Sequence, residues 1–201
     1  MMKTDTIIFD FGGVLIEWNP RHFYRSYFND EEKMEWFLKN ICTGEWNAEQ
    51  DRGRSFEEGT RILREAYPEW TEAINAYYEH WEKMVPGEVA GTVEILQALQ
   101  QQYKVYGLTN WSAETFPVAF RRFDFLHSLD GIVVSGVEKL IKPGKEIFQL
   151  LLNRYGLQAR QCVFIDDSLA NINTAKELGF EAIHFTSAGE LKKQLALLEM
   201  Q

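Results

Sequence analysis

Short apolar runs alternate with helical patterns over most of the chain. The run at 7–9 is followed by one acidic residue, a phenylalanine and two glycines, a pattern typical of a buried strand that ends in a tight turn. From position 85 onward, further apolar runs and amphipathic segments follow one another in regular alternation. Because strands separated by helices favour a doubly wound parallel sheet with helices on both faces, we predict the α/β class.

The boundaries of these elements follow from the apolar periodicity and from the positions of glycine and proline. The sequence predicts strands at 7–9, 104–109, 131–134, 161–165 and 182–185. It predicts the accompanying helices at 88–101, 113–122, 145–155, 170–178 and 188–198.

After the first strand the pattern becomes helical and rich in aromatic residues. Asp30 precedes one helical segment as a capping residue would, and Ser55 begins the capping-box pattern Ser-Phe-Glu-Glu before another. No segment of this region alternates as a strand does. We therefore predict an all-helical cap domain at 17–84, inserted into an α/β core domain made of 1–16 and 85–201.

Composition narrows the functional classes. The chain has 201 residues, of which 45% are hydrophobic and 25% charged, as expected of a globular protein with one good core. Its formal net charge of -9 argues against a nucleic-acid partner, because phosphate backbones are bound by basic patches. A small anionic substrate is not excluded, since it requires only local positive charge or a metal.

The cellular compartment is predicted from targeting patterns, apolar runs and cysteine usage. The first five residues carry no signal-peptide pattern, and no apolar run is long enough to span a bilayer. The two cysteines, Cys42 and Cys162, are far apart, so free buried thiols in a reducing environment are the expectation. We predict a cytoplasmic protein with no membrane partner.

Polar residues follow four of the predicted strands, where open α/β sheets bind their ligands. Each would be ordinary alone, since an aspartate after a strand is more often a turn or helix-capping residue than a nucleophile. Together they predict one site. The residues are Asp10, Thr109 with Asn110, Lys142, and Asp166 with Asp167.

These segments resemble, in order, the four motifs of the haloacid dehalogenase superfamily of phosphohydrolases and their relatives. The resemblance covers nearly the whole chain, and the helical insertion is similar to the small helical (C1-type) cap of that superfamily. The matching segments are Asp10-Phe11-Gly12-Gly13-Val14, Leu108-Thr109-Asn110, Lys142-Pro143 and Ile165-Asp166-Asp167-Ser168.

The resemblance implies a Mg²⁺-dependent phosphatase acting on a small phosphorylated metabolite. Asp10 would attack phosphorus and form an aspartyl-phosphate, which divides the hydrolysis into two displacements. The resemblance assigns Mg²⁺ to the Asp10 carboxylate, the Gly12 carbonyl and Asp167, with Asp166 either a ligand or just behind one. Lys142 would neutralise the phosphate and hold Asp10.

Other residues are implied to contact the substrate. Thr109 and Asn110 would donate hydrogen bonds to phosphate oxygens. Because the superfamily uses cap segments of this kind to contact substrate, Trp46 and Arg52 of the predicted cap become candidates for the same role.

The residue two positions after the nucleophile departs from the usual pattern. Phosphatases of the superfamily usually carry an aspartate there, which protonates the leaving alcohol and later activates water, whereas Gly12 can do neither. Phosphatases of sugar 1-phosphates include members whose first motif is similar to this one, and the anomeric leaving group of their substrates departs more easily than a simple alkoxide. Two alternatives stay open: a metal-independent 2-haloacid dehalogenase, which Asp167 does not favour, and a catalytically silent phosphate-binding protein.

Overall fold

A single parallel sheet forms the centre of the computed structural model, which describes residues 4–198 and 200. Its five strands lie in the order β3-β2-β1-β4-β5, so the first strand of the chain is the central one. This confirms the predicted α/β class. The strands are β1 Thr6–Phe9, β2 Lys104–Thr109, β3 Gly131–Val134, β4 Cys162–Asp166 and β5 Glu181–His184.

The register of the sheet brings the carboxyl ends of three strands together. Phe9, the last residue of β1, lies opposite Gly107 of β2 and Ile165 of β4. A Cβ at Gly107 would lie 2.2 Å from Cζ of Phe11, so only glycine lets that ring pack against β2. The residues that follow β1, β2 and β4 therefore share one edge of the sheet.

Helices cover both faces of the sheet. Side chains alternate along β1, so Ile7 and Phe9 belong to one apolar cluster and Ile8 to another. The first cluster also contains residues of α6, α7 and α11, and the second contains residues of α9 and α10. These helices are α6 Thr92–Leu99, α7 Phe116–Arg122, α8 Ser135–Glu138, α9 Lys145–Tyr155, α10 Leu169–Glu177 and α11 Ala188–Leu197.

The chain between β1 and α6 is helical, as predicted. The α-helices there are α1 Arg21–Phe28, α2 Glu31–Asn40, α3 Gly44–Asp51, α4 Phe56–Ala66 and α5 Thr71–Glu79, with 3-10 turns at Pro68–Trp70 and Trp81–Met84. Asp30 and Ser55 cap α2 and α4 by accepting backbone hydrogen bonds from Lys33 and Glu58. Buried residues of these helices form an apolar cluster of their own, and the domain boundaries at 16/17 and 84/85 stay a prediction.

Two helices begin later than predicted, for tertiary reasons. The helix predicted from position 88 begins at Thr92, because Glu88 forms an isolated bridge with Ile16 and Val89 donates its N–H to the Leu15 carbonyl at 2.9 Å. Gly91, with φ +82°, then turns the chain into α6. The helix predicted from position 113 begins instead at Phe116.

The strand predicted at 161–165 lies one residue further along, at Cys162–Asp166. Gln161 ends a 3-10 turn, whereas the carbonyl of Asp166 accepts the N–H of Phe185 at 2.9 Å and so continues the sheet. The short helix α8 was not predicted. The remaining strands and helices of the α/β part agree with the sequence to within one residue at each end.

Both cysteines are free and buried, which confirms the expectation for Cys42 and Cys162. Across residues 4–198 and 200, no helix combines the length and the apolar character needed to cross a lipid bilayer. The cytoplasmic location stays a prediction.

Candidate active site

The ammonium group of Lys142 joins the ends of three strands. Its Nζ lies 3.0 Å from Oδ1 of Asp10 and 2.6 Å from Oδ2 of Asp166, and it donates to the carbonyl of Leu108 at 2.8 Å. Lys142 is only 3% exposed. A buried cation between two carboxylates is held in place by both, so the sequence-predicted lysine and both acids are brought together.

Asp10 stands directly after β1. Its N–H donates to the Ile165 carbonyl at 2.9 Å, and its Oδ1 accepts the N–H of Phe11 at 2.7 Å as well as the Lys142 contact. Burial raises the pKa of Asp10 to about 7, while the charge of Lys142 opposes that rise. The carboxyl group is therefore oriented by fixed donors and only partly hydrated.

Asp166 is fully buried, and protein donors occupy both of its oxygens. Oδ1 accepts from Ser168 N at 2.8 Å and from Asn171 Nδ2 at 2.9 Å, while Oδ2 accepts from Lys142 Nζ and from the same amide at 3.0 Å. These contacts fix the orientation of the Asp166 side chain. They place Asp166 behind Lys142, where it holds the ammonium group.

Three acidic side chains converge beside this lysine. Ligand oxygens of Asp10, Asp166 and Asp167 all lie within 4.8 Å of one another, and only the Asp167 side chain is exposed. Loss of hydration and then the charge of Asp166 raise the pKa of Asp167. Since one lysine cannot balance three carboxylates, and since all the donors are oxygens, the cluster suits a hard divalent cation such as Mg²⁺.

Gly13 lets the acidic cluster approach the turn after β1. Its φ is +77°, and a Cβ at this position would lie 2.3 Å from Oδ2 of Asp167. Any side chain at Gly13 would therefore meet the Asp167 carboxylate and strain the backbone as well. The glycine turn that the sequence analysis associated with the end of a strand also makes room for the acid after β4.

Thr109 and Asn110 follow β2 on the same edge, but their environments differ. Oγ1 of Thr109 is the one buried side-chain polar atom without a hydrogen-bond partner among the residues described. Asn110 donates from Nδ2 to the Lys142 carbonyl at 3.0 Å and accepts the Lys142 N–H on Oδ1 at 2.9 Å. The amide of Asn110 thus clamps the backbone of the lysine, and the orphaned hydroxyl of Thr109 has capacity for an added oxygen.

A cavity of about 530 Å³ opens over this edge. Its polar end includes Asp10, Gly12, Lys142 and Asp167. Five aromatic rings also line it, between polar side chains that include Asn47, Ser112 and Thr115; the rings are those of Trp18, Phe56, Tyr78, Trp81 and Trp111. Phe56 and Tyr78 stack with their ring centroids 3.5 Å apart and their planes at 7°, so this part of the wall is flat and rigid.

The predicted substrate contacts of the helical region lie away from this cavity. Trp46 is 8% exposed, packs in the helical apolar cluster and donates from Nε1 to the Gly59 carbonyl at 3.1 Å. Arg52 lies 3.5 Å from Glu49 in an exposed ion pair. Neither Trp46 nor Arg52 is among the residues that line the cavity, so the structure does not bring them to the other site residues.

Helix α3, which carries Trp46, also supplies two cavity residues that were not predicted from the sequence. Asn47 and Asp51 lie four positions apart on α3 and both line the cavity. Helical spacing could have identified this pair. Residues 47 and 51 are four positions apart and so share one face of the helix, whereas Trp46, next to Asn47, faces another direction. Phe56 and Tyr78, the stacked pair in the wall, were missed as well.

Most of the chain matches one protein family. The family model of haloacid dehalogenase-like hydrolases matches residues 4–179. A sesquiterpene phosphatase of Aspergillus oryzae is 27% identical over 199 residues, covering 90% of this chain and 89% of that protein. A drimenol cyclase of Aspergillus calidoustus is 32% identical over 104 residues, or 50% of this chain, and the match spans only 20% of the cyclase.

A solved structure shows the same fold. A HAD family enzyme of Bacteroides thetaiotaomicron, crystallised with magnesium and inorganic phosphate, superposes with a TM-score of 0.68 at 22% identity. The alignment covers 92% of this chain and 95% of the enzyme. At this level of identity the similarity establishes the architecture alone.

Proposed function

The chain belongs to the haloacid dehalogenase-like hydrolases, and from this we propose that it is a Mg²⁺-dependent phosphatase that hydrolyses small phosphomonoesters through an aspartyl-phosphate. The observation that carries the proposal is the Lys142 ammonium between Asp10 and Asp166, beside a third acid that faces the cavity. A buried cation and a carboxylate cluster at the end of a sheet suit the charge of a transferring phosphoryl group.

Asp10 is the proposed nucleophile. Its carboxylate is fixed by Phe11 N and by Lys142, so little conformational freedom has to be lost when phosphorus approaches. Lys142 would offset the charge of the incoming phosphate, which a carboxylate alone would repel. The orphaned Oγ1 of Thr109 would hydrogen-bond a phosphate oxygen. Asn110 would act by holding the Lys142 backbone in register with Asp10.

The proposed metal ligands are the Asp10 carboxylate, the Gly12 carbonyl and Asp167. All three residues line the cavity, whereas Asp166 does not. Since protein donors already occupy both Asp166 oxygens, this acid is proposed to position Lys142. When bound, Mg²⁺ supplies positive charge that offsets the repulsion between phosphate and carboxylates.

The organic group of the substrate would lie against the aromatic wall. Sugar 1-phosphates are one candidate class, since the chain lacks an acid at Gly12 and such esters leave easily. The wall favours an apolar group instead, because its polar side chains are largely bonded to one another: Asn47 contacts Asp51 and Tyr78. The relative that acts as a sesquiterpene phosphatase supports the same choice. We propose a terpenyl monophosphate.

Phosphate release from a matched panel tests the substrate class. We expect farnesyl phosphate to be hydrolysed with a kcat/KM at least about tenfold above that for glucose 1-phosphate, since burying an apolar chain contributes about 0.8 kcal/mol per CH₂. A reversed preference would point to the sugar phosphates. Halide release from 2-chloropropionate in EDTA, with no phosphate release from any ester, would refute the phosphatase.

Removal of the metal tests the cofactor. We expect EDTA to abolish hydrolysis and Mg²⁺ to restore it, because Lys142 alone cannot balance the three acids and a phosphate. Mg²⁺ at about 100 times its Kd should also stabilise the fold by roughly 2.7 kcal/mol, measured by thermal unfolding. Asp167→Asn should weaken that stabilisation strongly.

The control is an acidic residue at the opposite edge of the sheet. Glu181, at the amino end of β5, is exposed and does not line the cavity. Glu181→Gln should leave the Mg²⁺-dependent stabilisation unchanged. Full activity in EDTA, or an unchanged Mg²⁺ response in Asp167→Asn, would contradict the proposed metal site.

A further inference from the structure

We propose that Asp51, on the last turn of α3, is the proton donor and acceptor that Gly12 cannot be. The inference rests on the proposed function, since it names the general acid and base for that same site. Asp10 and Asp51 line one cavity, although one follows the central strand and the other belongs to the helical region. Both residues therefore border the space in which a phosphate ester would bind.

Residues of both the helical region and the α/β part hold Asp51 in a defined orientation. Asn47 donates from Nδ2 to Oδ2 of Asp51 at 3.2 Å, and the N–H of Ser112, in the loop after β2, donates to the same carboxyl group. The hydroxyl of Ser135 donates to the Asp51 carbonyl at 2.5 Å. These contacts fix the end of α3 against the loop that follows β2 and against the first residue of α8.

A chain of polar side chains supports Asn47 from behind. Tyr78 donates to Oδ1 of Asn47 at 3.2 Å and accepts from Nε2 of Gln50 at 2.8 Å. Gln50 in turn accepts from Arg54 at 2.6 Å. Because both polar atoms of the Asn47 amide are engaged, its NH₂ group is directed at Asp51, and the orientation of the acid follows.

The environment of Asp51 is suited to proton transfer at neutral pH. Burial raises its pKa to about 7, and the Ser112 N–H opposes that rise. Catalytic acids work best with a pKa near the operating pH. Two tyrosines of α5, Tyr77 and Tyr78, lie near Asp51, and burial raises the pKa of both above the ordinary range. The other titratable or charged groups around Asp51 are Lys139, beside Gly53, and three residues of the cavity wall: Asp10, Lys142 and Asp167.

The two displacements balance with Asp51 in this role. In the first, Asp10 attacks phosphorus, the ester P–O bond breaks, and the leaving oxygen takes the proton of Asp51, which gives the alcohol and the aspartyl-phosphate. In the second, the Asp51 carboxylate takes a proton from water as that water attacks phosphorus. The bond from Asp10 to phosphorus breaks, inorganic phosphate leaves, and Asp51 is protonated again.

Asp51→Asn separates this role from a structural one. Asparagine keeps an acceptor oxygen for the Ser112 N–H but has no transferable carboxyl proton. We expect kcat for benzyl phosphate, whose leaving alkoxide needs a proton, to fall about 10²- to 10⁴-fold. With p-nitrophenyl phosphate, which needs no acid, we expect a burst of one p-nitrophenol per enzyme to remain, followed by slow turnover.

The matched control is a second acid of the same helix. Glu49 pairs with Arg52 on the exposed side of α3, and Glu49→Gln should behave as the parent does with both esters. A Cβ at Gly12 would have nothing within 4 Å, so Gly12→Asp can be combined with Asp51→Asn. Recovery of benzyl phosphate turnover in the double variant would show that the lost function is proton transfer.

Three results overturn the assignment: unchanged benzyl phosphate turnover in Asp51→Asn, equal loss of the burst and of benzyl phosphate turnover in a folded variant, or an unchanged pH profile. In the parent, kcat should decline as Asp51 loses its proton above pH about 7, and this decline should vanish in Asp51→Asn. Failure of the proposed function itself would differ, since Asp10→Asn would then retain its turnover and the parent would show no burst.

Discussion

Asp10→Asn is expected to reduce the rate of phosphate release by about 10⁴- to 10⁶-fold, the range seen when a nucleophile that acts with its partners is removed. The asparagine amide resembles the carboxyl group in size, but its nitrogen cannot attack phosphorus to form an acyl phosphate. The thermal midpoint should stay the same or rise. Burial raises the pKa of Asp10 to about 7, so an ionised carboxylate there is unfavourable and a neutral amide relieves that cost.

The experiment combines steady-state phosphate release with mass spectrometry of acid-quenched enzyme. The parent should yield a phosphorylated peptide that contains Asp10, and the variant should not. Glu181→Gln, which alters an exposed acid at the opposite edge of the sheet, is the matched control. Turnover close to that of the parent in Asp10→Asn, or a phosphorylated peptide from another part of the chain, would remove Asp10 from the nucleophile's role.

Lys142→Met is expected to cost about 3–5 kcal/mol of unfolding free energy as well as nearly all of the activity. Methionine fills similar space but leaves Asp10 and Asp166 without their shared cation. In the folded protein burial lowers the pKa of Lys142, but the two carboxylates outweigh it and the pKa lies above its ordinary value. Denaturant unfolding of the metal-free protein measures the loss.

The unfolding free energy lost in Lys142→Met should depend on pH in a defined direction. Asp10 has a folded pKa of about 7 against an ordinary 3.8, so the folded state binds its proton more tightly than the unfolded state does. Its unfavourable contribution is therefore absent below pH about 3.8 and grows as the pH rises towards 7. Without Lys142 this contribution increases, so the deficit of Lys142→Met should be larger at pH 8 than at pH 5.

Lys145→Met is the control for removal of a lysine charge. Lys145 forms an exposed ion pair with Glu177 at 2.8 Å, and exposed pairs contribute about 0–1 kcal/mol. This variant should unfold almost as the parent does and should keep its activity. If Lys142→Met were as stable as Lys145→Met, the buried ion pairs of Lys142 would not hold this edge of the sheet together.

Much of the fold could be predicted from local pattern. The strands at Lys104–Thr109 and Gly131–Val134 and the helix at Lys145–Tyr155 begin and end as predicted, since their apolar periodicity and flanking turn residues agree. The helix predicted from position 88 did not, because Glu88 pairs with Ile16, a residue far away in the chain. Hydrophobic periodicity reports local structure and does not predict such long-range pairings.

The sequence by itself determined which residues end the central strands. Asp10, Lys142, Asp166 and Asp167 were predicted to share one edge because parallel strands present their carboxyl ends together, and the tertiary structure brings them into contact. Only that structure showed where each acid at the end of β4 lies: Asp166 contacts Lys142, and Asp167 lies beside Gly13.

The cavity wall was decided by tertiary structure alone. Trp46 and Arg52 were predicted to contact the substrate, yet the neighbouring Asn47 and Asp51 are the residues that line the cavity, because a helix turns each successive side chain to a new direction. The contact that holds Asp51 to the beginning of α8 joins residues 84 positions apart. The glycine at position 12 showed from the sequence that the motif lacks its usual proton donor. The acid proposed to replace that donor, Asp51, belongs to the helical region, and only long-range packing brings it to the same cavity.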